Sequence, residues 1–228
     1  MLTRVDVVLF GATGMVGQGV LRECLLDPDV NRILSIGRTV TGLQHPKLRE
    51  IVRPNLYDYS DLESDLAGYD ACFFCLGTSA AGKSEEDYRR VTYDLTLAAA
   101  TTLAKLNPQM TFIYVSGSGT DSSEQGRTMW ARVKGATENA ILRLPFKAAY
   151  MFRPGYIQPL RGIRSKTRWY QVMYDLLGSL YPVLRRVLPA YVTTTVNIGR
   201  AMIQVAVAGY SKPILLSADI NQLADSPA

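Results

Sequence analysis

Two rhythms of apolar and polar positions alternate along this chain. Val5-Asp6-Val7-Val8-Leu9-Phe10 is a short, nearly continuous apolar run that stops at Gly11, as a strand buried on both faces does. Met15 to Leu26 then follows a helical spacing and ends at Asp27-Pro28. Asn31 to Ile36, Arg49 to Val52, Ala71 to Leu76, Thr111 to Val115 and Lys147 to Phe152 repeat the strand signature. Between them, Glu85 to Leu106, with its Ala/Leu-rich body, and Thr128 to Leu144 predict helices. This alternation predicts an α/β fold, a doubly wound parallel sheet with helices on both faces. After Arg153-Pro154-Gly155 the rhythm breaks. Residues 156–195 predict an excursion of loops and amphipathic helix, forming a small C-terminal cap over the carboxyl ends of the strands. A helix from Ile198 to Ala208 and a strand at Pro213-Ile214-Leu215-Leu216 close the pattern.

A length of 228 residues with 47% apolar content suffices for one sizeable core, so the expectation is a single domain over 1–228, with 156–195 as its excursion. No run of twenty apolar residues appears. The N-terminus enters a strand pattern directly, without the charged, apolar and cleavable parts of a signal segment, which predicts a cytoplasmic protein. The three cysteines are too few, and odd in number, for a disulfide framework. Cys72 and Cys75 form a Cys-x-x-Cys, but within a strand residues three apart point to opposite faces, so they read as structural thiols. The one histidine, His45, sits beside Pro46, and no metal site is expected.

Charge is distributed unevenly. Residues 1–131 carry 12 Lys/Arg against 16 Asp/Glu, whereas residues 132–200 carry 12 against 2. A basic second half where a pocket would be completed favours an anionic small molecule over nucleic acid, a solvated basic face being the plainer alternative.

The sharpest motif is Gly11-Ala12-Thr13-Gly14-Met15-Val16-Gly17, which places glycines at intervals of three between a strand and a helix. Such a turn lets backbone N–H groups face a pyrophosphate while the helix N-terminus adds partial positive charge. The strand before it and the helix after it are the context that makes this a Rossmann dinucleotide site. Arg38 follows Gly17 by 21 residues, where an acidic residue would hold the ribose hydroxyls of NAD. A guanidinium there suits an adenosine 2′-phosphate, so NADP(H) is expected in preference to NAD(H).

The glycine loop, Ile36-Gly37-Arg38, Phe74-Cys75-Leu76-Gly77-Thr78, Val133-Lys134-Gly135 and Phe152-Arg153-Pro154-Gly155 occur in this order over nearly the whole chain. In this the sequence resembles the atypical short-chain dehydrogenases/reductases, in particular the HIV Tat-interactive protein and nucleoside-diphosphate-sugar epimerase-like branch. The resemblance implies that Gly11, Thr13, Gly14, Met15 and Val16 line the pyrophosphate and that Arg38 meets the 2′-phosphate. Asn55 and Leu56 would border the adenine, with Asn55 standing where the family usually has aspartate. Leu76, Gly77 and Thr78 would lie along the ribose and nicotinamide, with Pro154, Gly155 and Tyr156 closing the far side.

Enzymes of this kind work through a Ser/Thr, a Tyr and a Lys, the tyrosine standing four residues before the lysine on one helix face. Lys134 fits the lysine, but Trp130 occupies the tyrosine position, and an indole N–H cannot exchange a proton at useful pH. Ser116 or Ser118, after the fifth strand, fits the polarising hydroxyl, Ser118 being the preferred of the two, three beyond the strand end. Three readings stay open. One is an enzyme with a relocated acid, drawn from Tyr88, Tyr93, Tyr156, Tyr170 or a water held by Ser118 and Lys134. The second is a non-catalytic NADP(H)-binding redox sensor or regulatory partner. The third is direct reduction of a flat acceptor with Trp130 as a stacking face.

Arg161, Arg164, Lys166 and Arg168 precede an apolar stripe from Trp169 to Leu188 at near-helical spacing. It reads as a cap packed on the domain, with a homodimer face or contact with a membrane surface as alternatives, in a protein that is otherwise a monomer.

Overall fold

The computed structural model describes residues 4–163, 188 and 190–226. The apolar runs form strands β1 (Val5–Phe10), β2 (Val30–Gly37), β3 (Leu48–Val52), β4 (Ala71–Phe74), β5 (Thr111–Val115), β6 (Ala148–Arg153) and β9 (Ile214–Leu216). They make one seven-stranded sheet in the order β3-β2-β1-β4-β5-β6-β9, every pairing parallel. The order reverses direction between β1 and β4. Strands β7 (Tyr156–Gln158) and β8 (Val192–Thr194) form a separate parallel pair.

Alternation along each strand divides the core in two. Val7 and Leu9 of β1 face α1 (Met15–Leu26) and α6 (Thr195–Ala208), where Cys24, Ile198 and Met202 are buried. Val8 and Phe10 face the other layer, with Leu66 of α2 (Glu63–Leu66), Leu103 of α4 (Leu95–Leu106) and Ile141 of α5 (Met129–Leu142). Cys72 lies in the second cluster and Cys75 against the first, so the two sulfurs diverge as the strand geometry requires.

The helix expected over 85–106 is interrupted. α3 (Glu85–Arg89) passes through a π-helical turn, Arg90–Asp94, before α4 resumes the α-helical spacing. Ser84 caps its start by accepting from Asp87 N at 3.1 Å. α6 begins three residues before the expected Ile198. The Thr194 hydroxyl accepts from Asn197 N at 2.9 Å, and that cap starts the helix inside a β-branched run that reads as strand. A last helix, α7 (Ser217–Asp225), was not expected from the pattern; the Asp219 carboxylate accepts from Leu216 N at 3.0 Å at its start. The cap expected over 156–195 falls largely on residues 164–187, outside the described ones. Its described ends are β7, β8 and the turn at Arg161. Among the described residues no helix is long and apolar enough to cross a membrane.

Helices α1 and α6 cross without room for side chains. A Cβ on Gly19 would stand 2.5 Å from Thr195 Cβ, and one on Gly199 would stand 2.9 Å from Glu23 Cβ. Gly19→Ala should therefore destabilise the protein by about 1–3 kcal/mol, as overpacking does. The check is a lower urea midpoint with an unchanged m-value.

Candidate active site

The site starts where β1 ends. Gly11 has φ +84°, and a Cβ there would meet the backbone of Cys75 and Leu76 at 2.8 Å. A Cβ on Gly17 would stand 2.0 Å from the Gly11 carbonyl oxygen. The turn closes through Gly14 N, which donates to Gly11 O at 2.9 Å, and Gln18 Nε2, which donates to Thr13 O at 3.1 Å. α1 begins at Met15 with Gly14 as its N-cap, no side chain capping it and no acidic residue in its first turn. The first-turn N–H groups, Met15 and Val16 among them, are thus left for an external acceptor.

Beside this turn is a cleft of about 360 Å³, lined by Gly11, Ala12, Thr13, Gly37, Arg38, Thr39 and Leu76. Arg38 is exposed in it, and no described carboxylate pairs with its guanidinium. Leu76 lines the opposite wall, with Gly77 exposed and Thr78 half-buried after it. Asn55 turns on itself, its Oδ1 accepting from Tyr57 N at 2.9 Å, and Leu56 is buried in the core with its side chain turned inward. Any adenine contact at these two positions falls to backbone or to the Asn55 amide nitrogen.

The second half of the site hangs on α5. The β5–β6 pairing continues past both strands, Ser116 N donating to Phe152 O and Ser118 N to Pro154 O, each at 2.8 Å. This brings Ser116 and Ser118 to the Arg153-Pro154-Gly155 turn. The following loop lies directly on α5, because a Cβ on Gly135 would stand 1.7 Å from the Asp121 carbonyl oxygen. Lys134, the residue before that glycine, donates Nζ to the Ser116 carbonyl oxygen. Burial lowers the Lys134 ammonium to about 8, opposed by the Glu138 carboxylate one turn along the helix. Trp130, a turn earlier, sets its indole edge 3.4 Å from where a Gly119 Cβ would be.

Geometry separates the two serines. The Ser116 hydroxyl is buried, donating to Glu138 Oε1 and lying 3.2 Å from Phe152 O. Ser118 is exposed, and no described residue takes its hydroxyl. Glu138, fully buried, is the residue that sequence reasoning missed. Arg153 Nε donates to its two oxygens at 3.0 and 3.1 Å, and Arg153 Nη2 reaches both Glu138 and Ser122 Oγ. The available signal was one carboxylate four residues after Lys134 on a face otherwise carried by Ala131 and Ile141. The far wall is tightly built too. Gly155 N donates to Ser217 Oγ at 3.0 Å, and a Cβ there would meet Tyr191 O at 2.3 Å. Tyr156 OH donates to Gln158 Oε1 at 2.8 Å. Of the tyrosines considered as relocated acids, Tyr88 is buried, Tyr93 lies under Arg89 at 4.0 Å, and Tyr170 is outside the described residues.

A parallel 3-2-1-4-5-6 core with a glycine turn at the end of β1 and a helical lysine beside the end of β5 defines an NAD(P)-binding fold of the short-chain dehydrogenase/reductase type, in its atypical, epimerase-like form. The chain is 30% identical over 162 residues to the mitochondrial protein FMP52-2 of Scheffersomyces stipitis, covering 70% of this chain and 68% of that protein. It is 30% identical over 170 residues to the mitochondrial protein fmp52 of Emericella nidulans, covering 72% and 70%. The chain belongs to the FMP52 family. Rat HTATIP2 is 29% identical over 155 residues, 67% of this chain and 62% of that one. Among solved structures, a UDP-N-acetylglucosamine 4-epimerase from Methanobrevibacter ruminantium, in complex with UDP-N-acetylmuramic acid, superposes with a TM-score of 0.69 at 15% identity, over 98% of this chain and 81% of that one. The Bordetella bronchiseptica enzyme WbmF, in complex with NAD+ and UDP, gives 0.67 at 14% identity, over 97% and 76%. No protein-family profile matches. The names of the FMP52 relatives correct one expectation: they point to mitochondria, where the N-terminal pattern had suggested the cytoplasm.

The Arg153–Glu138 pair is enclosed, with side-chain exposures of 13% and 0%. Removing one partner leaves a buried charge, so Glu138→Ala should cost about 3–5 kcal/mol, read as a fall in the denaturant midpoint.

Proposed function

We propose that the protein binds NADP(H) in the cleft between the glycine turn and Arg38 and acts as an oxidoreductase on a small, flat or anionic acceptor. The observation that carries this reading is the Arg38 guanidinium, without a carboxylate partner among the described residues, lining the same cleft as Gly11 and Thr13. The backbone fits the group: the cradle excludes any Cβ at Gly11 and Gly17, and uncapped N–H groups face it. Gly11, Thr13, Gly14, Met15 and Val16 hold the pyrophosphate and Arg38 the 2′-phosphate. Asn55 and Leu56 edge the adenine, and Leu76, Gly77 and Thr78 follow the ribose. Lys134 holds the nicotinamide ribose, and Pro154, Gly155 and Tyr156 shape the carboxamide side. The bound dinucleotide supplies reducing equivalents.

Lys134 and the exposed Ser118 hydroxyl are the groups that touch the acceptor's side of the site, with Trp130 as its wall. Because Trp130 cannot exchange a proton, acceptors that need no tyrosine acid, such as quinones or flavins, suit the site better than simple carbonyls. Trp130 also favours a second reading, a redox sensor that binds NADP(H) without turnover. Binding of NADPH that is at least tenfold tighter than that of NADH, and reduced to parity by Arg38→Ala, is expected from the loss of one charge-assisted phosphate contact. Equal affinities in the parent protein overturn the NADP(H) reading. Steady NADPH oxidation with quinones or flavins separates enzyme from sensor.

The Lys134 value of about 8 gives a pH dependence. The ammonium is charged below that pH, so NADPH affinity should fall as pH rises through about 8, and Lys134→Met should abolish the inflection. Folding carries the opposite sign. Because the folded value lies below the ordinary 10.5, the Lys134 contribution to stability rises with pH between the two.

A further inference from the structure

Glu138 touches no part of the cleft, yet the groups that would hold the acceptor's end of the site converge on it. Ser116 is gripped at both ends, its hydroxyl by Glu138 and its carbonyl oxygen by Lys134 Nζ. Lys134 and Glu138 stand four apart on α5 and therefore share a face. Arg153, from β6, closes the arrangement with a forked contact to the same carboxylate and a further contact to Ser122 Oγ. Arg153 thus pairs directly with one enclosed anion at the ends of β5 and β6, and half-buried Lys134 is joined to that anion through Ser116. Among the described residues Tyr114 of β5 also acts on the anion, and burial keeps that phenol neutral. Removing the anion while leaving Arg153 would leave the two cations of this corner with no carboxylate to balance them, and the one able to shed its proton is Lys134.

We infer that Glu138 is a positioning residue: it balances Arg153 and thereby keeps the Lys134 ammonium charged and aimed at the Ser116–Ser118 segment. This deepens the dinucleotide reading and rests on it for its functional consequence. The charge relation itself is independent of any ligand. Glu138 is the carboxylate that opposes burial at Lys134.

The test follows the Lys134 Cε resonance of uniformly 13C-labelled protein through a pH titration without ligand, the signal being assigned with Lys134→Arg. In Glu138→Gln the midpoint should fall by one unit or more relative to the parent. In Glu138→Gln/Arg153→Gln, part of that fall should be recovered while the midpoint stays below the parent's. A midpoint unmoved in the single variant, or a double variant no higher than the single, overturns the inference. Should the single variant fail to fold, the double variant decides, because removing both partners leaves no stranded charge. A midpoint at or above the parent's then overturns it. NADPH titration at pH 7.5 is the second readout: a one-unit fall from about 8 lowers the charged fraction of Lys134 from roughly three quarters to roughly one quarter, which predicts about threefold weaker binding in Glu138→Gln. Absence of NADPH binding in the parent sinks the dinucleotide reading alone, because the lysine titration stands without it. A moved lysine midpoint with unchanged NADPH affinity sinks the positioning role.

Discussion

The turn at the end of β1 is packed so tightly that neither Gly11 nor Gly17 has space for a side-chain carbon. Gly11 sits against the Cys75–Leu76 backbone in the left-handed region, and Gly17 packs on the carbonyl of Gly11 itself. These contacts bring α1 down on the sheet at the point where strand order reverses between β1 and β4. The cleft exists because the two crossovers leave that point in opposite directions, a property of doubly wound sheets in general. What is particular to this chain is the lining: uncapped N–H groups on one side and Arg38 on the other. Shifting α1 outward by the width of a methyl group would separate these from each other and loosen the α1–α6 crossing behind them.

Close approach recurs at the other end of the site. Gly135 lets the loop from Ser116 to Ser122 lie on α5, and Gly155 lets β6 turn under Tyr191. Between these glycines stands the Glu138–Arg153 pair, where a buried ionic contact ties β6 to α5 and the Ser116 hydroxyl ties β5 to both. An ion pair so enclosed contributes little net stability compared with well-packed apolar groups of the same volume. Its effect is on arrangement. It fixes which serine faces the interior and which the solvent.

The pattern of apolar residues made most of this framework legible. α1 has the bounds its spacing predicts, and the strands lie within a few residues of the apolar runs that announce them, because burial on both faces leaves a continuous signal. The glycine turn was legible for a similar reason, since a backbone that must touch backbone admits few residue types. What escaped the pattern was set by local hydrogen bonds. Thr194 starts α6 within Val192-Thr193-Thr194-Thr195-Val196, which propensity alone assigns to a strand. α7 buries few apolar residues and is fixed by Asp219, which also receives Tyr210 OH and Lys212 Nζ, each at 3.1 Å. The π-helical turn leaves no mark on periodicity at the scale of one turn. Glu138 escaped because a glutamate in a helix reads as a solvated side chain until its partner on another strand is known.

Trp130 bears most directly on the chemistry. In the dehydrogenase arrangement the lysine serves two purposes, binding the ribose and easing proton loss from a tyrosine one turn before it. On the proposed reading tryptophan stands in that place and the second purpose has no object, yet the lysine is half-buried, directed at Ser116 and joined through it to the Glu138–Arg153 pair. A lysine kept merely as packing would need none of this, since its aliphatic stem could fill the same space with the ammonium in water. Withdrawing the ammonium from water is costly, and the Glu138 carboxylate offsets part of that cost. The arrangement fits the dinucleotide reading proposed above, in which proton delivery falls to the solvent-facing side where Ser118 is exposed.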